Sequence, residues 1–93
     1  METIWKYALK VTDAQILEIP EGGEFLHVAL QGETPCVWVR VDSTVEEVER
    51  ELLTVFDGSP MPDKEVTYVG TYQRKAYLPA FHVFSKIANK EGR

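Results

Sequence analysis

The chain has 93 residues, of which 44% are apolar and 27% charged, which allows one globular domain with one modest core and argues against disorder. No apolar run approaches the roughly 20 residues that span a bilayer, and the N terminus lacks the pattern of a signal peptide, so we expect a cytoplasmic protein without membrane insertion. The net charge is −5, and the acidic excess lies in residues 1–73, which have fourteen acidic and five basic side chains. This acidic surface disfavours nucleic-acid binding.

Alternating side chains predict the first strands. Between residues 4 and 11 apolar groups recur at every second position, including Trp5 and Tyr7, with Lys6 between them. This two-residue period is typical of a half-buried strand. A second short strand is predicted over residues 15–19, and it ends at the turn-forming residues 20–23, which include two glycines.

The next two strands are predicted to form a hairpin. Apolar side chains alternate from Phe25 to Leu30, with Leu26 and Val28 on one face, and again from Cys36 to Val41. Residues 31–35 contain a glycine and a proline, which suits a hairpin loop.

After Asp42 the pattern changes and predicts a short helix near residues 44–51. Ser43 with Glu46, or Thr44 with Glu47, fits a capping box, and Val45, Val48 and Leu52 then share one helical face. Residues 53–56 have the composition of a strand, so this segment either continues the helix or forms a separate strand.

Two more strands are predicted towards the C terminus. Residues 66–72 alternate, and Gly70 marks a bulge or a close neighbour. Tyr77 to Phe84 is apolar on both faces except at His82, as in a strand buried on both sides or one in a dimer interface. Pro79 requires either an edge position or a bend. Left unpaired, this strand would favour a homodimer.

The predicted fold is mainly β, with a minor helical part. We expect a small antiparallel sheet, sandwich or open barrel of about six to seven short strands arranged as a meander, with one short helix near 44–51. Residues 1–86 are expected to form a single compact domain, and residues 87–93 a basic tail.

The side chains that carry chemistry show no catalytic or metal-binding signature. Cys36 is the only cysteine, which excludes an internal disulfide, and His27 and His82 both lie in strand patterns. Each is typical of an ordinary sheet residue. The glutamates of residues 46–51 lack the pattern of a calcium loop, and no glycine-rich phosphate loop is present. We therefore expect no catalytic residue, no cofactor site and no metal site, and a protein that is not an enzyme.

The aromatic side chains provide the candidate interaction surface. Tyrosine and tryptophan combine an apolar body with a polar group and are enriched at protein interfaces. The candidates are Trp5, Trp38, Tyr72, Tyr77 and Phe81. The alternative is that these side chains only pack the core.

Four short motifs resemble a family of small, uncharacterised proteins that tailed bacteriophages and prophages encode, notably phages of actinobacteria. In order they are Ile4-Trp5-Lys6-Tyr7, Cys36-Val37-Trp38 leading to Val41-Asp42, Tyr68-Val69-Gly70-Thr71 and Phe81-His82-Val83-Phe84. Where the family often has a glycine- and histidine-containing turn before its prolines, this chain has residues 57–62 without a histidine. The resemblance implies a viral origin and a compact β fold.

These observations favour a phage accessory protein that binds a host protein and modulates it. One alternative is a protein that captures a small ligand, such as a nucleotide signal, in a pocket between subunits. Another is a minor component of the virion or of its assembly. An enzyme is the least favoured class.

Overall fold

Seven antiparallel strands and their connections make up the computed structural model, which describes residues 1–86. In chain order they are β1 (Glu2–Ala8), β2 (Ala14–Pro20), β3 (Glu24–Gln31), β4 (Thr34–Asp42), β5 (Glu47–Phe56), β6 (Val66–Tyr72) and β7 (Phe81–Lys86). The mainly β fold with about seven strands is thereby confirmed. The predicted basic tail, residues 87–93, lies outside the described residues.

The strands form two sheets. The three-stranded sheet has the order β1-β4-β3, and the four-stranded sheet has the order β2-β5-β7-β6. β3 pairs with β4 and β6 with β7 as consecutive hairpins, whereas β1 pairs with β4 and β2 with β5. The predicted meander is therefore wrong, because long-range pairings place the first two strands in different sheets.

The core lies between the two sheets and consists of the inward side of each alternating strand. Each strand places every second side chain inward, so the buried set comes from both sheets. Its fully buried members are Ile19, Val37, Val39, Val41, Leu52 and Val83. The smallest extent of the molecule, 16 Å between Cα atoms, agrees with two layers of sheet.

The two sheets approach each other closely at β3 and β6. A Cβ atom added to Gly70 of β6 would lie 2.8 Å from Cβ and 3.0 Å from N of Val28 in β3. Both strands also have an irregular register nearby, between Phe25 and His27 in β3 and between Tyr68 and Gly70 in β6. The sequence predicts either a bulge or a close neighbour at Gly70, and the structure has both.

The predicted hairpin of β3 and β4 is confirmed. Gln31 pairs with Thr34, which leaves a two-residue connection. Gly32 occupies its first position with a φ of 63°, and a positive φ at this position is what a type II′ turn requires. The irregular register next to Leu26 shifts the predicted faces, because Val28 is buried while Leu26 is exposed.

The predicted helix near 44–51 is wrong, because β5 begins at Glu47. Asp42 forms a turn instead: its carboxylate accepts hydrogen bonds from the amide of Thr44 at 3.0 Å and from the Thr44 hydroxyl at 2.6 Å. Such a side-chain bond to the following backbone competes with helix formation. Beyond the turn, Val48 and Leu52 lie two strand repeats apart on the inward face, a spacing that also fits one helical face.

The predicted strand from Tyr77 to Phe84 is also corrected. Residues 77–80 belong to the connection between β6 and β7, and the strand begins at Phe81, after Pro79. β7 then lies between β5 and β6, so its hydrogen-bonding groups have neighbours on both sides. The segment chosen as the free edge is therefore internal, and the homodimer predicted from it loses that basis.

Candidate functional site

The outer face of the three-stranded sheet carries an uncovered group of large side chains around Trp38. Trp38 lies in the central strand, and its direct neighbours across the sheet are Lys6 in β1 and His27 in β3. We call this surface the Trp38 face. Its members are Ile4, Lys6, Leu26, His27, Trp38 and Arg40.

The centre of the Trp38 face is apolar and partly open to solvent. The side chains of Ile4 and Leu26 are 57% and 42% exposed, and the rings of Trp38 and His27 lie 6.0 Å apart. Ile4 was missed in the sequence because it alternates with the more conspicuous Trp5 and Tyr7. The sequence pattern puts Leu26 on the same face as Val28, because a strict two-residue period does not allow for the irregular register.

Charged groups of both signs lie among these apolar side chains, with Arg40 of the central strand directly opposite Ile4. Arg40 contacts Glu2 at 2.8 Å and Glu24 at 3.9 Å, and the hydrogen bond that Arg40 donates to Glu2 raises the pKa of the guanidinium. Lys6 hydrogen-bonds the side chain of Gln31 and so links β1 to β3 across β4. An open depression of about 630 Å³ lies beside Arg40, Glu2, Ile4 and Leu26.

The structure does not bring the five predicted aromatic residues together. Trp38 lies on the Trp38 face, while Trp5 lies on the opposite face of the same sheet and is 37% exposed. Tyr72 is buried in the core, and Phe81 packs against that core with its ring 5.2 Å from the ring of Tyr72. Tyr77 is 79% exposed in the connection before β7. Core packing, the alternative reading, therefore holds for Tyr72 and Phe81.

A second group of polar side chains forms a hydrogen-bonded chain on the outer face of the four-stranded sheet. His82 Nε2 lies 2.7 Å from Asp57 Oδ1, and His82 Nδ1 lies 3.0 Å from the hydroxyl oxygen of Thr71. Thr71 also hydrogen-bonds the hydroxyl of Tyr68. Because a carboxylate only accepts, Nε2 donates to Asp57, and in a neutral ring Nδ1 accepts from Thr71.

This series of hydrogen bonds joins Asp57, which follows β5, to the segment just before β7. The other carboxylate oxygen of Asp57 accepts from the amide of Ala80 at 3.0 Å, and the Asp57 amide donates to the Ala80 carbonyl at 3.0 Å. The order of carboxylate, imidazole and hydroxyl is the one that activates a nucleophile in hydrolases. Here the hydroxyl of Thr71 lies on an open sheet surface and is shared with Tyr68, so the visible role is to fix the entry to β7. No local pattern joins His82 to Thr71 and Asp57, since these partners are 11 and 25 residues away in the sequence.

Removal of the imidazole is expected to raise the pKa of Asp57. The hydrogen bond from His82, followed by that from Ala80, holds the pKa of this carboxyl below its ordinary value of 3.8. A carboxyl whose pKa is lower in the folded state stabilises the fold at pH values above its ordinary pKa. This contribution is lost as the pH falls through the lowered pKa. In His82→Leu the Asp57 pKa should move upward in an NMR titration of the carboxyl carbons. The pKa of Asp42, held at about 2 mainly by Thr44, should stay unchanged as the control.

Cys36 and His82 lie on different sheets. Cys36 is buried and free, and its thiol contacts the carbonyl of Thr34 at 3.6 Å. It lies on the three-stranded sheet, whereas His82 lies on the other sheet. Within residues 1–86, no group of three or more histidine, cysteine or acidic residues is arranged to hold a metal ion.

The described part of the chain contains no helix long and apolar enough to cross a membrane. No curated protein and no solved structure matches the sequence. One family profile does match, over residues 1–93, and it bears the description "Domain of unknown function (DUF7352)". Since the match spans the whole chain, this protein belongs to that family.

Proposed function

We propose that this domain acts by binding another protein through the Trp38 face rather than by catalysis. The single observation that carries the proposal is the half-buried Trp38 in the central strand, with the exposed Ile4 and Leu26 on the same face of the sheet. A sheet face that only had to meet water would carry polar side chains at these positions. Large apolar groups left uncovered on a small domain are typical of interaction sites.

The composition of the surface favours a protein partner. Protein interfaces combine an apolar centre with a polar rim and are enriched in tryptophan and arginine, and both are present here as Trp38 and Arg40. Small molecules are bound in concave sites that enclose most of the ligand, whereas this surface is an open sheet face. The acidic net charge would repel a phosphate backbone.

We infer the kind of partner from the sequence resemblance. The four sequence motifs resemble proteins that phages encode, and an accessory protein of that kind would act inside the infected cell, so the proposed partner is a host protein in the cytoplasm. The single buried cysteine, Cys36, agrees with a reducing compartment. The surface of the partner should offer apolar side chains to Ile4 and Leu26. It should also carry groups that complement Lys6 and Arg40.

Leu26→Lys is expected to abolish partner binding while the fold is retained. The side chain is exposed, so lysine can be accommodated, but a charge at the centre of an interface must be desolvated without a partner. The measurement is quantitative mass spectrometry of proteins recovered from host lysate with the unchanged chain and with the variant. At least one protein should be enriched by the unchanged chain and reduced by roughly tenfold or more with Leu26→Lys, a loss of about 1.4 kcal/mol.

The matched control is Ile16→Lys, which places the same charge at an exposed apolar position of the four-stranded sheet. It should recover the same protein as the unchanged chain. The proposal would be contradicted by a partner that tolerates Leu26→Lys, by one that is lost only with Ile16→Lys, or by no enriched protein at all.

A further inference from the structure

Strand β1 is a free edge of the three-stranded sheet. In the order β1-β4-β3, β3 lies against β6 of the other sheet, whereas β1 has β4 as its neighbour on one side and no strand on the other within residues 1–86. A free edge presents unpaired amide and carbonyl groups that can bind another strand.

The hydrogen bonds to β4 determine which backbone amide and carbonyl groups of β1 point away from β4, towards the free edge. The Leu9 amide donates to Pro35 at 2.8 Å, and the Ser43 amide donates to the carbonyl of Met1 at 3.0 Å. In an antiparallel pair such residues alternate along the strand, so the odd-numbered residues of β1 bond to β4. The backbone groups of the even-numbered residues, Glu2, Ile4, Lys6 and Ala8, therefore face away from the sheet.

Two copies of β1 can pair about a two-fold axis only if even-numbered residues stand opposite each other. In the register centred on Ile4, Glu2 of each chain stands opposite Lys6 of the other, so two oppositely charged pairs form symmetrically. The register centred on Trp5 places Ile4 opposite Lys6, and the register centred on Lys6 places like charges together. Charge complementarity thus selects the register centred on Ile4.

The same register also brings apolar side chains of the two copies together. On the outer face, Ile4 of one chain lies beside Ile4 of the other, so the two Trp38 faces join into one open surface. On the inner face, Trp5 stands opposite Thr3 of the copy, and this indole is 37% exposed in the single chain. Glu2 contacts Arg40 through one carboxylate oxygen only, Oε1, so the other remains available to the copy. The ammonium of Lys6 hydrogen-bonds Gln31 in the single chain and has further N–H donors for Glu2 of the copy.

We propose that the chain forms a two-fold symmetric dimer in which the β1 strands pair antiparallel, centred on Ile4, to give a continuous six-stranded sheet. The proposal does not depend on the function of the Trp38 face. The free edge of the other sheet, β2, is less suited to the same pairing. Its outward positions are Ala14, Ile16, Glu18 and Pro20; proline has no amide to donate, and no two of these residues carry opposite charges.

Charge reversal tests both the dimer and its register. Light scattering on a size-exclusion column should give twice the mass of one tagged chain for the unchanged protein, which is prepared with a C-terminal tag added to its 10.6 kDa. Glu2→Lys and Lys6→Glu each turn two attractive pairs into repulsive ones and should raise the dissociation constant by roughly tenfold or more. An equal mixture of the two variants should form dimers again, because each introduced charge then meets its opposite.

Backbone variants supply the matched control. Ile4→Pro removes an outward amide of β1 without affecting a bond to β4, and it should give a monomer. Ile16→Pro makes the same change at the free edge of β2, and this variant should remain a dimer. Leu26→Lys should also remain a dimer, and this result separates dimer formation from partner binding. A monomeric unchanged chain, variants as dimeric as the unchanged chain, a mixture that stays monomeric, or dissociation by Ile16→Pro would each overturn the proposal.

Discussion

Gly70→Ala is expected to lower the free energy of unfolding by roughly 3 kcal/mol, at the upper end of the cost of overpacking. The added methyl carbon would lie 2.8 Å from Cβ of Val28 and 3.0 Å from its backbone nitrogen. Neither atom can turn away as the end of a flexible side chain could. β3 and β6 must therefore move apart, and this opens the contact between the two sheets.

Urea denaturation of double variants measures this contact. Val28→Ala keeps the Cβ and the nitrogen atom, so Gly70→Ala should cost as much in that background as in the unchanged chain. Val28→Gly removes the Cβ, and the cost of Gly70→Ala should then fall. A second reference is Gly58→Ala, where an added Cβ meets nothing within 4 Å but φ is 88°, for an expected cost of about 1 kcal/mol. Equal costs for Gly70→Ala in the alanine and glycine backgrounds would contradict the proposed contact.

Leu52→Ala is expected to destabilise the fold by about 2–5 kcal/mol, the range for removing a large buried aliphatic side chain. Leu52 is fully buried in β5, where it pairs with Gln15 of β2 and Ser85 of β7. Truncation leaves a cavity between strands that hold each other in place. Since domains of this size are stable by roughly 5–15 kcal/mol, much of the total would be lost.

Leu26→Ala is the matched control for Leu52→Ala, because the same atoms are removed from an exposed position. Its effect on the free energy of unfolding should stay within about 0.5 kcal/mol. Thermal and urea denaturation of the two variants decide the point. A similar loss of stability in both would mean that Leu26 is packed and that the Trp38 face is less open than described.

The local parts of the fold could be predicted from the sequence because they depend on neighbouring residues. The hairpin of β3 and β4 follows from alternation on both sides of a glycine-containing turn, and the structure confirms it. Pairings such as β1 with β4 join residues that are 28 to 40 positions apart, and no local pattern specifies them. The predicted meander is wrong for this reason.

The helix predicted near 44–51 shows how two periods can coincide in a short segment. Val48 and Leu52 are four residues apart, which is one helical turn and also two strand repeats. The deciding feature is the alternation of Glu47, Glu49 and Glu51 with inward residues, which puts the acidic side chains on the outer face of β5. The hydrogen bonds of Asp42 to Thr44 then form a turn in place of a helical cap.

The candidate site was predictable only in part. An aromatic surface was expected, but of its five residues only Trp38 lies on the Trp38 face, because exposure depends on which sheet covers which face. Tyr72 is buried because it faces the core across from Phe81, and nothing in its sequence neighbourhood distinguishes it from the exposed Tyr68. Leu26 faces outward because of an irregular register that alternation cannot reveal.

The central claim, that the Trp38 face binds another protein, can be tested by photo-crosslinking. Photoreactive benzoylphenylalanine is placed in the chain in place of Leu26, and in a second preparation in place of Ile16 on the opposite sheet, and both are irradiated in host lysate. The first preparation should form a covalent adduct with a distinct protein that the second does not form. No adduct from the position of Leu26, or the same adduct in equal yield from both positions, would contradict the claim.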